Sequence, residues 1–258
     1  MRKLLVAVLL VLSCGIAAAQ DDGALEVDRP DVTDSTHTVG PGVFQLETGV
    51  EYARTSVAAR AAERRFALQM ALRAGLTERL ELRLQGEPLV ALRGKDDATG
   101  LGDLTVALKY RVLDAVDGAP ALGVESFVTL PVAEAPIGSE RPDFGVVLLA
   151  DFELPWELAL TVNAGLVGLG QSRPGGFLFQ GLASASLSRE VAKSLSAFAE
   201  IFYASPDERD GRHTVGADVG VVWTVSRDVA LDAAVATSLK GPLPDYALRT
   251  GVSVRFGR

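Results

Sequence analysis

The sequence predicts an all-β chain: a single antiparallel up-and-down transmembrane β-barrel of about twelve strands, with short periplasmic turns and longer extracellular loops. Three features carry this. From Gly42 to Phe256, apolar and polar residues alternate with a period of two almost without interruption, which is the signal of a strand and not of a helix. The segments come nearer to the roughly 9–11 residues that a tilted strand needs to cross a bilayer than to the roughly 5–6 of a soluble strand. The connections alternate too: after odd-numbered strands they are long and polar ("LRGKDDATGLG", "PVAEAPIGSERP", "SPDERDGRH"), after even ones tight ("TER", "PW", "SRD"). Long outer loops and short periplasmic turns are the habit of outer-membrane barrels.

The N-terminus reads as an export signal over residues 1–19. Arg2 and Lys3 precede an apolar stretch from Leu4 to Leu12, and Ala17, Ala18 and Ala19 offer small residues for cleavage. Export by this signal, together with the barrel pattern, places the chain in the bacterial outer membrane. The only cysteine, Cys14, lies inside the signal, in a stretch (Val11 to Gly15) that also resembles a lipoprotein cleavage box. Cys14 is therefore either removed or lipidated. Its removal excludes a disulfide framework and cysteine-based metal chemistry. Hydrophobic residues make up 48% of the chain, yet the body holds no apolar run of the roughly 20 residues a membrane helix needs, so a membrane protein here must be a barrel. The net charge of −8, two units more negative after cleavage, argues against a nucleic-acid partner.

Residues 20–41 differ from the rest. Asp21, Asp22, Glu26, Asp28, Asp31 and Asp34 stand against Arg29 alone, with no apolar period. This acidic periplasmic leader is either a mobile tail or a plug in the lumen. Residues 42–258 form the barrel.

The uncharged face can be followed strand by strand. Strand one shows Phe44, Leu46, Thr48, Val50 and Tyr52; strand two Phe66, Leu68, Met70 and Leu72; strand three Leu80, Leu82 and Leu84. Strand four shows Leu104, Val106, Leu108, Tyr110 and Val112, and strand five Leu122, Val124, Ser126, Val128 and Leu130. Six runs from Phe144 to Phe152 in steps of two, and seven from Leu158 to Leu166. Eight gives Phe179 to Leu187, nine Leu195 to Tyr203, ten Val215 to Val225, eleven Val229 to Leu239 and twelve Tyr246 to Phe256. An even count brings both ends to the periplasm, where the barrel assembly machinery works. Tyr52, Tyr110, Phe152, Trp156, Tyr203, Trp223, Tyr246 and Phe256 sit near strand ends, at the level amphipathic rings prefer. Barrels commonly end on an aromatic residue; here Gly257 and Arg258 follow Phe256.

The opposite face is charged, and unpaired charge in a protein core costs several kcal/mol, so this face should meet water. Arg65, Arg73, Arg83, Lys109, Arg111, Arg249 and Arg255 form a basic wall. Glu125, Asp151, Glu153, Glu157, Glu200, Asp218 and Asp232 form an acidic one. The two either set up a field across an open pore or pair to fill a narrow lumen; twelve strands lie between side-chain-filled barrels and open porins. Phe127, Phe198 and Phe202 share the lumen parity and either contact a solute or pack under loops. Only His37 and His213 are present. A hydrolase would need His213 beside Ser205 and Asp210, and two histidines leave little for zinc.

Two segments, "DRPDVTDSTHTVGPGVFQLETGVEY" from Asp28 to Tyr52 and "GLGDLTVALKYRVLD" from Gly100 to Asp114, resemble the outer-membrane transporter family named for the phenol meta-degradation pathway. The resemblance implies a small barrel that passes hydrophobic or aromatic compounds, and supplies no catalytic residues. The expectation is a monomeric, cofactor-free channel for passive passage of small solutes, set in outer-membrane lipid. A structural or surface-interaction barrel with a filled lumen is the first alternative, and a barrel hydrolase the second.

Overall fold

The structure is a computed structural model and describes residues 25–56, 62–171 and 175–257. The export signal and Cys14 lie outside the described residues. Strands β1 (Phe44–Thr55), β2 (Glu63–Gly75) and β3 (Leu80–Arg93) are followed by a three-residue strand β4 (Ala98–Gly100) and by β5 (Leu104–Leu113). Then come β6 (Ala121–Leu130), β7 (Asp143–Leu154), β8 (Leu158–Gly170), β9 (Phe177–Ala192), β10 (Leu195–Ala204), β11 (Thr214–Ser226), β12 (Val229–Lys240) and β13 (Tyr246–Phe256). Apart from β4, which pairs only with β3 and is bypassed by a β3–β5 pairing, each strand pairs antiparallel with its chain neighbours, and β1 pairs with both β2 and β13, so the sheet closes on itself. Closure puts Phe44 opposite Phe256, with the rings stacked 6.1 Å apart.

Twelve strands form the ring. β4 is an extra piece that extends the ladder only at Val90 to Leu92, at the long-loop end of β3. Below it Leu101, Gly102 and Asp103 interrupt the strand, and Asp103 turns its carboxylate to the 131–142 loop. There it accepts from the Ala133 N–H at 3.0 Å and from the Ser139 N–H and hydroxyl at 2.8 and 2.9 Å.

Alternation decides what each residue meets. On β7, Leu148 is 62% exposed and its neighbour Leu149 only 1%. Leu166, Phe179, Val219 and Leu239 are exposed on the same outer face, while Gln45, Glu47, Arg73, Glu81, Arg83 and Lys109 are buried inside the ring. A soluble sheet would do the reverse. With its apolar residues outside and its charges inside, the ring is a membrane barrel. No described helix is long and apolar enough to cross a membrane; the crossing is made by strands.

One expected wall residue lies elsewhere. Glu157 belongs to a 3-10 turn, Pro155–Glu157, in which Trp156 takes φ 65°. Its side chain is 82% exposed and lies 3.6 Å from Arg189. Even-numbered residues face outward on both β7 and β8, so the parity survives the turn; Glu157 leaves the wall because it belongs to the turn itself.

Candidate functional site: a lumen threaded by the leader

Residues 25–40 run inside the ring without forming a helix or strand. Such a segment must find a partner for every buried backbone group, and the wall supplies them. Wall oxygens accept its N–H groups: Glu200 takes Val32 at 2.8 Å, Asn163 takes Asp34 at 2.8 Å, Asp151 takes Thr36 at 2.7 Å and Glu81 takes Val39 at 2.7 Å. Wall cations donate to its carbonyls: Arg249 to Pro30 at 3.1 Å, Lys109 to Ser35 at 2.9 Å, Arg111 to Thr36 at 3.2 Å and Arg73 to His37 at 3.2 Å.

Asp28 is the hub. One carboxylate oxygen receives Lys109 at 2.7 Å and Arg83 at 2.8 Å, with Arg73 at 3.2 Å. Arg73 also pairs with Glu47 and Glu81, both at 2.8 Å. Arg83 reaches Glu125 at 2.5 Å and Asp34 at 3.1 Å. Burial works against ionisation of Asp28, but Arg73, Lys109 and Arg83 overcome it and hold the carboxyl well below the ordinary carboxylate range.

A second anchor is Arg29. It donates to Gln69 at 2.8 Å and faces Asp232 at 3.4 Å. The slot it occupies exists because Gly49 and Gly251, opposite each other on β1 and β13, carry no side chain. A Cβ on Gly49 would collide with the Arg29 guanidinium, and one on Gly251 would come within 2.8 Å of both Arg29 and Asp232. Farther round, Thr33 hydrogen-bonds Glu200 and Ser184, and Ser186 donates to Asp31 at 3.0 Å.

The expected basic and acidic walls are bridged both directly, as in the Arg83–Glu125 and Arg249–Asp218 pairs, and through the leader. Arg249 bridges Glu51 and Asp218 at 2.9 and 3.3 Å, and Arg65 bridges Glu51 and Glu87 at 2.9 and 2.5 Å. Arg255 sits at the short-turn rim, 3.5 Å from Asp228 and donating to the Arg227 carbonyl. Glu153 is exposed at the same end.

Two chambers flank the leader. One of about 370 Å³, toward the long loops, is lined by Val32 and Asp34 of the leader and by Gln85, Glu125, Phe127, Asn163, Leu182 and Phe202. The other, about 520 Å³ toward the short turns, is lined by leader residues with Arg111, Asp151, Glu153 and Phe198. The three inward phenylalanines lie along the wall: Phe127, Phe198 and Phe202 fill the space a Cβ would take at Gly145, Gly220 and Gly216, their cross-strand partners. Among the described residues no hydrogen bond joins His213 to Ser205 or Asp210. The His213 ring stacks on Tyr203 and shares a hydrogen bond with its hydroxyl at 2.8 Å, while the Ser205 hydroxyl accepts the Gly181 N–H.

Ring and lumen together define an outer-membrane β-barrel. The chain belongs to the family described as "Putative MetA-pathway of phenol degradation", whose model matches residues 27–256. Among solved structures it is similar to the COG4313 outer membrane channel from Pseudomonas putida F1, at 17% identity and a TM-score of 0.67, over 90% of this chain and 100% of that one. It is also similar to a KdgM porin in complex with oligogalacturonate (8% identity, TM-score 0.54, 82% of this chain and 99% of that one). A third is the translocator domain of the autotransporter NalP from Neisseria meningitidis (13% identity, TM-score 0.50, 84% and 90%). At these identities the likeness is one of fold. No curated protein sequence matches the chain.

Proposed function

We propose that this barrel is a monomeric outer-membrane channel for passive passage of small solutes, and that its leader is the stopper. The observation that supports this is how the leader is held. It contributes no strand to the ring, and it is bound through side-chain contacts that water can replace, with a chamber on each side. No residue of the leader takes part in the ladder from β1 to β13. The family description, with its reference to phenol degradation, and the inward Phe127, Phe198 and Phe202 favour small aromatic or hydrophobic solutes.

Liposome swelling with a panel of sugars, amino acids and phenols tests this, alongside planar-bilayer recording of the parent and of a variant lacking residues 21–38. The expected result is low, intermittent conductance in the parent and a higher, steadier one in the deletion. The dense ion pairing in the lumen favours a second reading, a filled barrel serving structure or surface contact. Silent bilayers with both proteins, each shown to be folded by a heat-dependent gel shift, would establish that reading instead.

A further inference from the structure

We infer that the chamber on the long-loop side of the leader is a binding site for a small organic cation with an aromatic or apolar body. This deepens the channel reading and rests on it only for the route by which the ligand arrives.

The cavity comes first. At about 370 Å³ it falls at the lower end of the roughly 300–1,000 Å³ of small-molecule sites, the size for one ring with a short substituent. Its apolar lining is Phe127, Phe202, Val147, Leu182 and Val32. Its polar, uncharged lining includes Gln85, Thr105, Asn163 and Gln180, all able to accept a hydrogen bond. Its charged side chains are Asp34 and Glu125, and no base lines it.

The cations behind these acids do not neutralise them. Arg73, Arg83 and Lys109 together serve Asp28, Asp34, Glu47, Glu81 and Glu125. With all five acids ionised, three positive charges face five negative ones. The surplus is presented where a ligand can reach it: the side chains of Asp28, Glu47, Glu81 and Glu125 are at most 8% exposed, whereas that of Asp34 is 28% exposed. Low-dielectric walls focus such a field. An anion would meet two carboxylates and no donor cation, and a neutral apolar solute would have to dehydrate Asp34 without replacing its water. An ammonium satisfies Asp34 and places its body against two aromatic rings, which themselves attract cations.

Isothermal titration of the full detergent-solubilised chain with phenethylammonium chloride and with sodium 3-phenylpropionate tests this, and requires no conductance. The expected result is one saturable site for the ammonium and at least tenfold weaker binding of the carboxylate. Asp34→Asn, which keeps the side chain's size, should weaken ammonium binding by about tenfold, the equivalent of about 1.4 kcal/mol. Phe202→Leu should weaken it by about threefold, in the range of one cation–π contact. Equal affinity for the two ions, no heat with the ammonium, or an unchanged constant in Asp34→Asn with the gel shift intact would each overturn the inference. Cation binding in a protein that never conducts would instead remove the channel reading and leave the site.

Discussion

Replacing Asp28 by Ala removes the one carboxylate on which Arg73, Arg83 and Lys109 converge, at 3.2, 2.8 and 2.7 Å. The three do not lose equally. Arg73 keeps Glu47 and Glu81, and Arg83 keeps Glu125 and Asp34. Lys109, fully buried, has no other carboxylate within ion-pair distance among the described residues. It retains only the leader carbonyls of Ser35 and His37, at 2.9 and 3.5 Å. Leaving one partner of a buried pair uncompensated costs about 3–5 kcal/mol. The strand ladders do not involve Asp28, so the cost falls on the state in which the leader is docked, and it is relieved when the leader withdraws and water reaches Lys109. The undocked population should rise by roughly two to four orders of magnitude. Single-channel recording reads this as the fraction of time spent in the conductance level of the 21–38 deletion. Asp28→Asn, whose amide oxygen still accepts hydrogen bonds, should fall between parent and Ala variant. If the deletion opens the channel and Asp28→Ala behaves as the parent, the hub is not what holds the leader, and the reasoning from buried charge fails.

Two further outcomes follow from the same geometry. Leu148→Arg puts a charge at the middle of β7 on the outer face, where Leu148 is 62% exposed; it should destabilise the barrel in phospholipid vesicles by about 2–4 kcal/mol in urea titrations, and an unchanged midpoint would mean that this face does not meet lipid. The second concerns pH. Burial raises the Asp34 carboxyl; Arg83 on β3 and Lys109 on β5 pull it down, Asp28 on the leader and Glu125 on β6 push it up, and it comes to rest at about 7. A protonated Asp34 offers no charge to an ammonium, so phenethylammonium affinity should be full above that value and fall as pH drops through it, a dependence that titrations of Asp34→Asn should lack.

The ring was legible in the sequence because a period of two is imposed on every strand by one boundary, lipid outside and water or charge inside. Leu148 and Leu149 look alike as residues, and only their parity assigns one to each side. Legibility ended where that period is interrupted. Pro155 and Trp156 turn the chain and take Glu157 off the wall, and β4 was hidden in a polar loop because its three residues, Ala98–Gly100, are too short to show alternation. The leader's acidity was visible, but not the role of Asp28. Its partners Arg83 and Lys109 lie 55 and 81 residues away and are neighbours only after the barrel closes. The glycine slot for Arg29 was invisible for the same reason, since Gly49 and Gly251 meet only at the last pairing.

The mixed charge of the lumen follows from what fills it. Eight strands enclose a space that side chains can fill, and sixteen leave a water column. Twelve lie between, and here one extended chain occupies the space. That chain brings both unpaired N–H groups and unpaired C=O groups, one N–H fewer because of Pro30, so its wall needs acceptors and donors together. The carboxylates of Glu81, Asp151 and Glu200 and the cations Arg73, Lys109, Arg111 and Arg249 serve those two needs. Withdrawal of the leader takes Asp28, Asp31 and Asp34 out of the lumen but only one cation, Arg29, so the empty lumen is less negative than the occupied one. Deleting residues 21–38 should therefore raise conductance and at the same time lower the preference for cations, read as the reversal potential in a potassium chloride gradient. A deletion variant that conducts more and prefers cations as strongly as the parent, or more so, would show that the leader's carboxylates do not set the field in the pore.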